Sequence, residues 1–297
     1  MKKKILKYIL LIIIIISLAT PFIYSFTFFN GFAGQIKPTD YPQDWYEVNN
    51  FLNEDKQDFK ILFFPWHGYM EFKWVNNTDK RIANPARHFF DKEVIGGTTV
   101  ELGEIYRQDN APEQLYIDYL LKERKNITNF GKLVSILNIK YILLTKEVDY
   151  KKYFFLFNQT DLELVKETEY LYLFKNNNEV MRIYQTDNIS SVTGDEKIEL
   201  NYQKINPVRY RLGNISKKYI VFTEPYSEDW KLDGREGIKA YGVVNAFEGN
   251  GKDIKFERFY RINLPAYIIS LLTFIVLILT YVKIMIRDKK AGLIIEE

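Results

Sequence analysis

Long apolar runs near both ends of the chain predict two membrane-spanning helices. Residues 8–35 contain no charged side chain, and neither do residues 262–282. An α-helix rises about 1.5 Å per residue, so each run is long enough to cross a hydrocarbon core of about 30 Å. We therefore predict transmembrane helices at residues 8–29 and 262–285. The first run also has the lysines and small residues of a cleaved signal peptide, but its apolar character continues past Pro21, which favours an anchor.

Between these runs, helical and strand-like patterns alternate in the first half of the chain. Apolar residues at helical spacing predict helices at residues 41–55, 112–125 and 129–138. Apolar runs of strand length follow the first and the third of these helices, at residues 59–64 and 139–144. Helices that alternate with strands indicate an α/β layer with some parallel strand pairing.

Short strand-like runs replace this pattern after Thr145. We predict strands at residues 162–166, 170–174, 180–185, 198–203, 209–212, 219–222, 230–232 and 254–260. Turn signals such as Asp233-Gly234 separate them, which is typical of an antiparallel sandwich or jelly roll. A polar stretch at residues 188–197 indicates a linker. The predicted fold is therefore a membrane-anchored α+β protein, with an α/β subdomain over residues 30–186 and a jelly-roll-like antiparallel β-sandwich subdomain over residues 187–261.

Charge is distributed unevenly along the chain and orients the predicted spans. The chain carries 41 Lys and Arg against 38 Asp and Glu, a net charge of +3. The segments outside the two spans are cationic, whereas the body between them is slightly acidic. Because cytoplasmic flanks carry an excess of Lys and Arg, we predict that residues 1–7 and 286–297 are cytoplasmic and that the body is extracytoplasmic. An acidic body also argues against nucleic-acid binding.

Composition excludes several kinds of chemistry. The chain has no cysteine, which rules out disulfides, thiolate metal sites and thiol catalysis. His67 and His88 are the two imidazoles, and no phosphate-binding loop or dinucleotide fingerprint occurs. We therefore predict no cofactor and no metal site.

Five Asn-x-Ser/Thr sequons lie in the predicted extracytoplasmic body and are candidate N-glycosylation sites. They begin at Asn76, Asn126, Asn158, Asn188 and Asn214. The alternative is coincidence, because an asparagine-rich chain produces sequons by chance.

Several segments, in order and spacing, resemble a known family. They are residues 41–45, 59–66, 84–86, 137–142, 206–210, 222–232 and 243–247. Over residues 40–285 the chain is similar to the C-terminal extracytoplasmic portion of archaeal and bacterial membrane glycosyltransferases of the GT-C type, including the YfhO-like group. The resemblance implies a multi-pass core that takes a sugar from a polyprenyl phosphate carrier. This chain departs from the family because it has two predicted spans instead of that core, so we assign no catalytic residue.

Aromatic residues in two loops are candidate carbohydrate-binding residues, because aromatic rings stack on sugar faces. Trp66, His67, Tyr69 and Trp74 follow the first predicted strand, where α/β layers present loops to ligands. Tyr226 and Trp230 flank acidic residues in a turn of the predicted sandwich. In both places the alternative is that the rings belong to the hydrophobic core.

Carboxylates offer weaker candidates. Glu54 with Asp55 and Asp161 with Glu163 resemble the paired acids of glycosidases, but a solvated surface explains them better. Asp40 and Asp44 follow the first span, where the family's catalytic acid would lie, although the sequence around Asp44 matches a later segment of the family.

We interpret the chain as an accessory or acceptor-glycan-binding module, a split or truncated tail, of a polyprenyl-phosphate-sugar-dependent GT-C membrane glycosyltransferase in cell-surface glycosylation. Its expected partners are the lipid bilayer, a multi-pass transferase subunit and a surface glycan. The alternatives are a non-enzymatic structural subunit of an envelope complex that packs through its two helices, and a self-sufficient enzyme.

Overall fold

A computed structural model describes residues 2–26, 31–34, 39–75, 81–98, 100–102, 105–107, 111–192 and 196–290. Its helices are α1 (Lys2–Tyr24), α2 (Gly31–Gly34), α3 (Gln43–Glu54), α4 (Ala86–Phe89), α5 (Pro112–Glu123), α6 (Phe130–Ser135) and α7 (Leu264–Lys290). A 3-10 helix (Tyr150–Asn158) and a π-helical turn (Phe259–Asn263) complete the helical elements of the described ranges.

The strands outnumber the helices. They are β1 (Lys60–Phe64), β2 (Tyr69–Glu71), β3 (Arg81–Ala83), β4 (Glu93–Ile95), β5 (Val100–Leu102), β6 (Ile105–Arg107), β7 (Ile139–Thr145), β8 (Leu162–Glu167), β9 (Leu171–Asn176), β10 (Ile183–Thr186), β11 (Ile198–Glu199), β12 (Tyr202–Asn206), β13 (Arg209–Leu212), β14 (Tyr219–Pro225), β15 (Trp230–Leu232), β16 (Arg235–Glu236), β17 (Ile238–Ala240), β18 (Val244–Glu248) and β19 (Asp253–Phe256). The chain is therefore an α+β protein with several antiparallel sheets.

One helix in the described part of the chain is long and apolar enough to cross a membrane. It covers Phe259–Arg287, and the most apolar stretch of it is not buried against any other described part of the protein. The apolar part of α1, Ile12–Tyr24, is shorter than a span. The predicted first span at residues 8–29 extends beyond α1 into residues 27–29, which lie outside the described ranges.

The first body of the protein is built on a five-stranded mixed sheet in the order β4-β1-β7-β9-β8. β1 pairs in parallel with β4 and β7, which confirms the expected parallel pairing, whereas β9 is antiparallel to β7 and β8. All five residues of β1 are buried. Because side chains alternate between faces along a strand, β1 contributes to a core on each side of the sheet.

Helices cover the two faces of this sheet. On one face α3 packs Trp45, Val48 and Leu52, which recur at helical spacing, against Ile61 and Phe63. On the other face α5 and α6 pack against Leu62 and Phe64. The first turn of α6 is capped from a distance by Asp161, which accepts the backbone N–H groups of Gly131 and Lys132 at 3.1 and 2.6 Å.

The second body is an antiparallel sandwich of two five-stranded sheets. Their orders are β11-β10-β14-β18-β17 and β12-β13-β19-β15-β16. The core between them contains Phe222 and Phe247 from the first of these sheets and Trp230 and Ile254 from the second. The other face of the first sheet joins the core of the mixed sheet through Tyr184, Val221 and Ala246. The two bodies therefore share one continuous hydrophobic core.

The chain enters the sandwich earlier than the predicted boundary at residue 187. β10 (Ile183–Thr186) pairs with β11 and β14, so the polar stretch at residues 188–197 connects two neighbouring strands of one sheet. The passage from the mixed sheet to the sandwich lies between β9 and β10, at residues 177–182. A polar stretch such as residues 188–197 fits a loop within one sheet as well as a linker between two subdomains, and sequence patterns do not distinguish the two.

The last strand runs directly into the membrane helix. β19 ends at Phe256, whose N–H donates to the carbonyl of Val208 at 3.0 Å, and the N–H of Glu257 donates to the carbonyl of Asp229 at 2.7 Å. The predicted strand at residues 254–260 is therefore too long, because helical structure begins at Glu257. Both hydrogen bonds fix the helix entrance to loops of the sandwich.

A buried network of charges joins the two bodies. Arg182 is 2% exposed and pairs with Asp58 at 2.7 Å, with Glu93 at 3.1 Å and with Glu224. Lys60, which is fully buried in β1, pairs with Glu93 at 2.9 Å and Glu224 at 2.8 Å. Burial lowers the pKa of Arg182, but the carboxylates of Glu224, Glu93 and Asp58 raise it by a larger amount. The net pKa lies above the ordinary value, so the guanidinium stays charged.

This network makes stability depend on pH. Burial raises the pKa values of Asp58 and Glu93, but the neighbouring groups outweigh burial. Arg182 and Tyr202 hold the pKa of Asp58 below its ordinary range, and Lys60 and Arg182 do the same for Glu93. A carboxyl with a lowered pKa in the folded state stabilises the fold above the unfolded pKa, about 4, and loses that effect as pH falls through the folded value. We therefore expect the free energy of unfolding to be flat from pH 7 to 5 and to fall below about pH 4.

Urea unfolding at a series of pH values measures this dependence. Asp58→Asn removes one titrating carboxyl, so its stability should fall less steeply with acid than that of the wild type. Equal stability at pH 3 and pH 7 would show that the network does not act in this way.

Candidate functional site

The carboxyl ends of the parallel strands form one edge of the mixed sheet, which we call the carboxyl edge. The chain runs from β1 to β4 on one side of β1 and then to β7 on the other side. In open α/β sheets, ligands bind outside the carboxyl ends of strands at such a change of direction. Residues 66–69 follow β1, residues 96–98 follow β4 and residues 146–149 follow β7 at this edge.

An imidazole–carboxylate pair lies where β1 and β7 end. His67 Nε2 is 3.0 Å from Asp149 Oδ1, and Lys152 Nζ is 3.1 Å from Asp149 Oδ2. Burial raises the pKa of Asp149, but hydrogen bonds from His67 and Lys152 lower it to a greater extent, so the carboxylate is ionised. Asp149 therefore fixes the His67 ring, whose side chain is about one-third exposed, at 35%.

The structure places Trp66 in the core beneath this edge. The side chain is 7% exposed, and its indole N–H donates to Asp118 Oδ1 at 2.8 Å. Its backbone N–H donates to the hydroxyl of Tyr153 at 2.8 Å, and Tyr153 in turn stacks on Phe64 at 4.8 Å. Trp66 therefore anchors the loop that carries His67 and Tyr69, and Tyr69 is 41% exposed.

An open cleft of about 680 Å³, which we call the acidic cleft, occupies the β7–β9 side of the carboxyl edge. It is lined by Asp40, Pro42, Gln43, Asp44, Glu47, Trp74 and residues 166–170. Five of these residues are carboxylic acids and one, Lys166, is a cation. Its lining therefore combines a strong negative charge with the rings of Trp74 and Tyr170.

Three elements position the walls of the acidic cleft. The N–H of Tyr170, in the β8–β9 turn, donates to Asp44 Oδ2 of α3 at 2.9 Å. The carbonyl of Tyr170 accepts the N–H of Lys146, just after β7, at 2.7 Å. The N–H of Lys73 donates to Glu147 Oε1 at 3.2 Å, which ties the segment that carries Trp74 to the same strand end.

The Trp74 ring is held by other aromatic rings. Its centroid lies 5.1 Å from those of Tyr41 and Phe72 and 5.7 Å from that of Trp45. The indole N–H of Trp74 and the Oδ1 atom of Asp44 are buried and have no hydrogen-bond partner among the described residues. Buried polar groups in proteins are almost always paired, so two unpaired atoms in this wall are unusual.

The sandwich residues lie apart from the carboxyl edge. Trp230 is 9% exposed and packs edge-on against Phe222 at 4.8 Å and against Phe256 at 5.1 Å, inside the sandwich core. Tyr226 is half-buried, and Lys239 Nζ lies 4.9 Å from its ring centroid. These two candidates therefore do not form one site with His67, Tyr69 or Trp74.

The paired acids take part in local structure. Asp55 pairs with Lys140 Nζ at 2.5 Å and accepts the hydroxyl of Tyr141 at 3.2 Å, and Asp161 caps α6. Glu54 and Glu163 are exposed. Among the residues that the structure describes, no group of three or more His, Asp or Glu side chains is arranged to hold a metal ion.

The candidate glycosylation sites differ in exposure. Asn126, Asn158 and Asn214 are exposed, and Asn188 is half-buried with its side-chain oxygen accepting the N–H of Ser190 at 2.8 Å. Asn76 lies outside the described residues. Glycosylation of these residues stays a prediction.

Comparison with known proteins finds little. No protein-family model and no curated protein sequence matches the chain. Among solved structures, the cryo-EM structure of the arabinofuranosyltransferase AftD from Mycobacteria is similar over 51% of this chain, with 11% identity and a TM-score of 0.39. The match covers 14% of AftD. A likeness of this size does not establish a common fold. The class of protein that the structure itself defines is an α+β protein with one helix that is long and apolar enough to cross a membrane.

Proposed function

We propose that the chain is a membrane-anchored module that binds a saccharide in the acidic cleft. The observation that carries this proposal is the combination, in one open cleft, of the Trp74 and Tyr170 rings with carboxylates that include Asp44 and Glu47. Aromatic rings present an apolar face to the C–H groups of a sugar, and carboxylates accept its hydroxyl groups. Small-ligand sites are typically concave and combine apolar walls with a few polar groups in this way.

The charge of the cleft selects among saccharides. Five carboxylic acids against one lysine repel an acidic sugar and favour a neutral or an amino sugar.

The biological setting that we propose is surface glycosylation. The apolar helix at Phe259–Arg287 supports membrane attachment, and the cationic flanks support cytoplasmic termini with the body outside. With the sequence resemblance to the tails of GT-C transferases, this favours an accessory or acceptor-binding role beside a multi-pass transferase that uses polyprenyl-phosphate sugars.

Removal of the Trp74 ring tests the proposal. In full-length protein in lipid nanodiscs, we expect Trp74→Ala to weaken binding of the best saccharide at least tenfold, because the ring on which the sugar stacks is lost. Isothermal titration with oligosaccharides of mannose, N-acetylglucosamine, glucosamine and glucuronate measures the affinity.

Two further variants, one in the cleft and one outside it, test whether the effect is specific. Glu47→Gln removes a cleft charge at an exposed position and should weaken glucosamine binding without a change in melting temperature. Tyr119→Ala removes an aromatic ring that is 60% exposed on α5, outside the cleft, and should bind as the wild type does. The proposal fails if none of the saccharides binds, or if Trp74→Ala binds them with unchanged affinity.

A further inference from the structure

A second, smaller pocket lies on the β4–β1 side of the carboxyl edge. Its volume is about 210 Å³, and it is lined by Gly68, Tyr69, Ala83, Asn84, Ala86, Arg87, Val94, Gly96, Gly97 and Thr98. We call it the glycine pocket because three glycines from the loops after β1 and β4 form part of its wall.

Close contact between the two loops requires glycine. A Cβ atom at Gly97 would lie 2.6 Å from the carbonyl carbon of Trp66 and 2.7 Å from the backbone nitrogen of His67. No other residue fits there without a shift of the backbone, so the loop after β4 is held directly against the loop that carries His67. Asn84 adds to this contact, because its side-chain amide donates to the carbonyl of His67 at 3.3 Å.

The charge of the glycine pocket is opposite to that of the acidic cleft. Arg87 is the one charged residue in its described lining, which contains no carboxylate. The guanidinium is positioned by a hydrogen bond from Nη2 to the carbonyl of Gly96 at 2.8 Å, and the buried Gln114 donates to the same carbonyl at 3.0 Å. One such bond uses one of the five N–H groups of Arg87, which leaves others for a ligand.

We propose that the glycine pocket is an oxyanion-binding site, which takes the carboxylate or phosphate group of a small acidic ligand. A guanidinium matches the two oxygens of either group, and the described lining holds no carboxylate that would repel them. The site is distinct from the acidic cleft, which disfavours such ligands, so it does not depend on saccharide binding there.

Titration of full-length protein in nanodiscs with glucose, glucuronate and glucose 6-phosphate, at constant ionic strength, tests this site. We expect at least one of the two charged probes to bind about tenfold or more tightly than glucose, and Arg87→Gln to abolish that difference. The preferred probe identifies the group as carboxylate or phosphate. Arg235→Gln is a matched control, because Arg235 is also an exposed arginine that donates to backbone carbonyls, at Glu248 and Asn250.

Three outcomes would overturn the proposal. They are equal affinity for glucose and both charged probes, unchanged affinity of Arg87→Gln for the charged probes, and loss of their binding in Trp74→Ala but not in Arg87→Gln. The last result would place acidic ligands in the acidic cleft. Since Arg87 is exposed, we expect its replacement to leave the melting temperature unchanged, so loss of binding in a folded variant supports the site.

Discussion

Replacement of Arg182 by methionine is expected to lower the free energy of unfolding by about 3–5 kcal/mol. The guanidinium is 2% exposed and pairs with Asp58, Glu93 and Glu224. Methionine fills much of the space of the arginine side chain but carries no charge. The three carboxylates then lose their shared partner, and Lys60 is the buried cation that remains beside them. Since a buried charge without its partner costs far more than the pair contributes, the loss should be among the largest for any single substitution in this protein.

Denaturant unfolding of the wild type and the variant measures the difference. Arg211→Met is the control, because Arg211 is half-exposed and pairs with Asp253 at 3.4 Å on the surface of the sandwich. Exposed pairs contribute about 0–1 kcal/mol, so this variant should be nearly as stable as the wild type. If Arg182→Met and Arg211→Met lose similar amounts, the buried network does not hold the two bodies together.

Replacement of Trp230 by alanine is expected to cost about 3–5 kcal/mol of unfolding free energy and to leave saccharide binding unchanged. The ring fills the sandwich core between Phe222, Phe256 and Tyr210, at centroid distances of 4.8, 5.1 and 6.2 Å. Its removal leaves a cavity that these side chains refill only in part. A carbohydrate-binding role predicts the reverse, with weakened binding and a modest loss of stability.

The Trp230→Phe variant separates the two roles. Phenylalanine keeps an aromatic ring and should recover part of the stability. In contrast, Tyr226→Ala, at a half-buried position in the preceding turn, should cost less than Trp230→Ala. Weaker binding of every saccharide by folded Trp230→Ala would assign this tryptophan to a binding site.

The elements that sequence patterns predict are those with long apolar faces. The helix α3 and the strands β1 and β7 each bury three or more apolar residues, so their patterns are clear, and α5 buries Ile117 and Leu120 at helical spacing. The strands from β2 to β6 have three residues each, which is too short for a period to appear. Three of these strands, β2, β3 and β4, and the helix α4 contribute residues to the glycine pocket, so that pocket could not be predicted.

The candidate site was predictable only in outline. The position of residues 66–74 after a buried strand indicates a ligand-facing loop, and the structure does place that loop at the carboxyl edge. Its partners Asp149 and Tyr170 are distant in sequence and have no motif of their own. The sequence offers one indication for Asp149: it lies soon after the predicted strand at residues 139–144, which places it at the carboxyl edge.

The buried charges show a further limit. Asp58, Lys60, Glu93, Arg182 and Glu224 share no motif, and some of them lie in ordinary charged stretches such as Asp91-Lys92-Glu93. These residues come together only in the tertiary fold, across the two bodies. The sequence therefore shows that the charged residues are present but does not show that they are buried and paired.

The direct passage from β19 into the membrane helix has a geometric consequence. A domain on a flexible linker explores a volume that grows with linker length, and it meets ligands at many heights above the bilayer. Here the hydrogen bonds of Phe256 and Glu257 leave no such linker, so rotation or tilt of the helix is transmitted to the whole body. Both pockets then keep a fixed position relative to the helix axis.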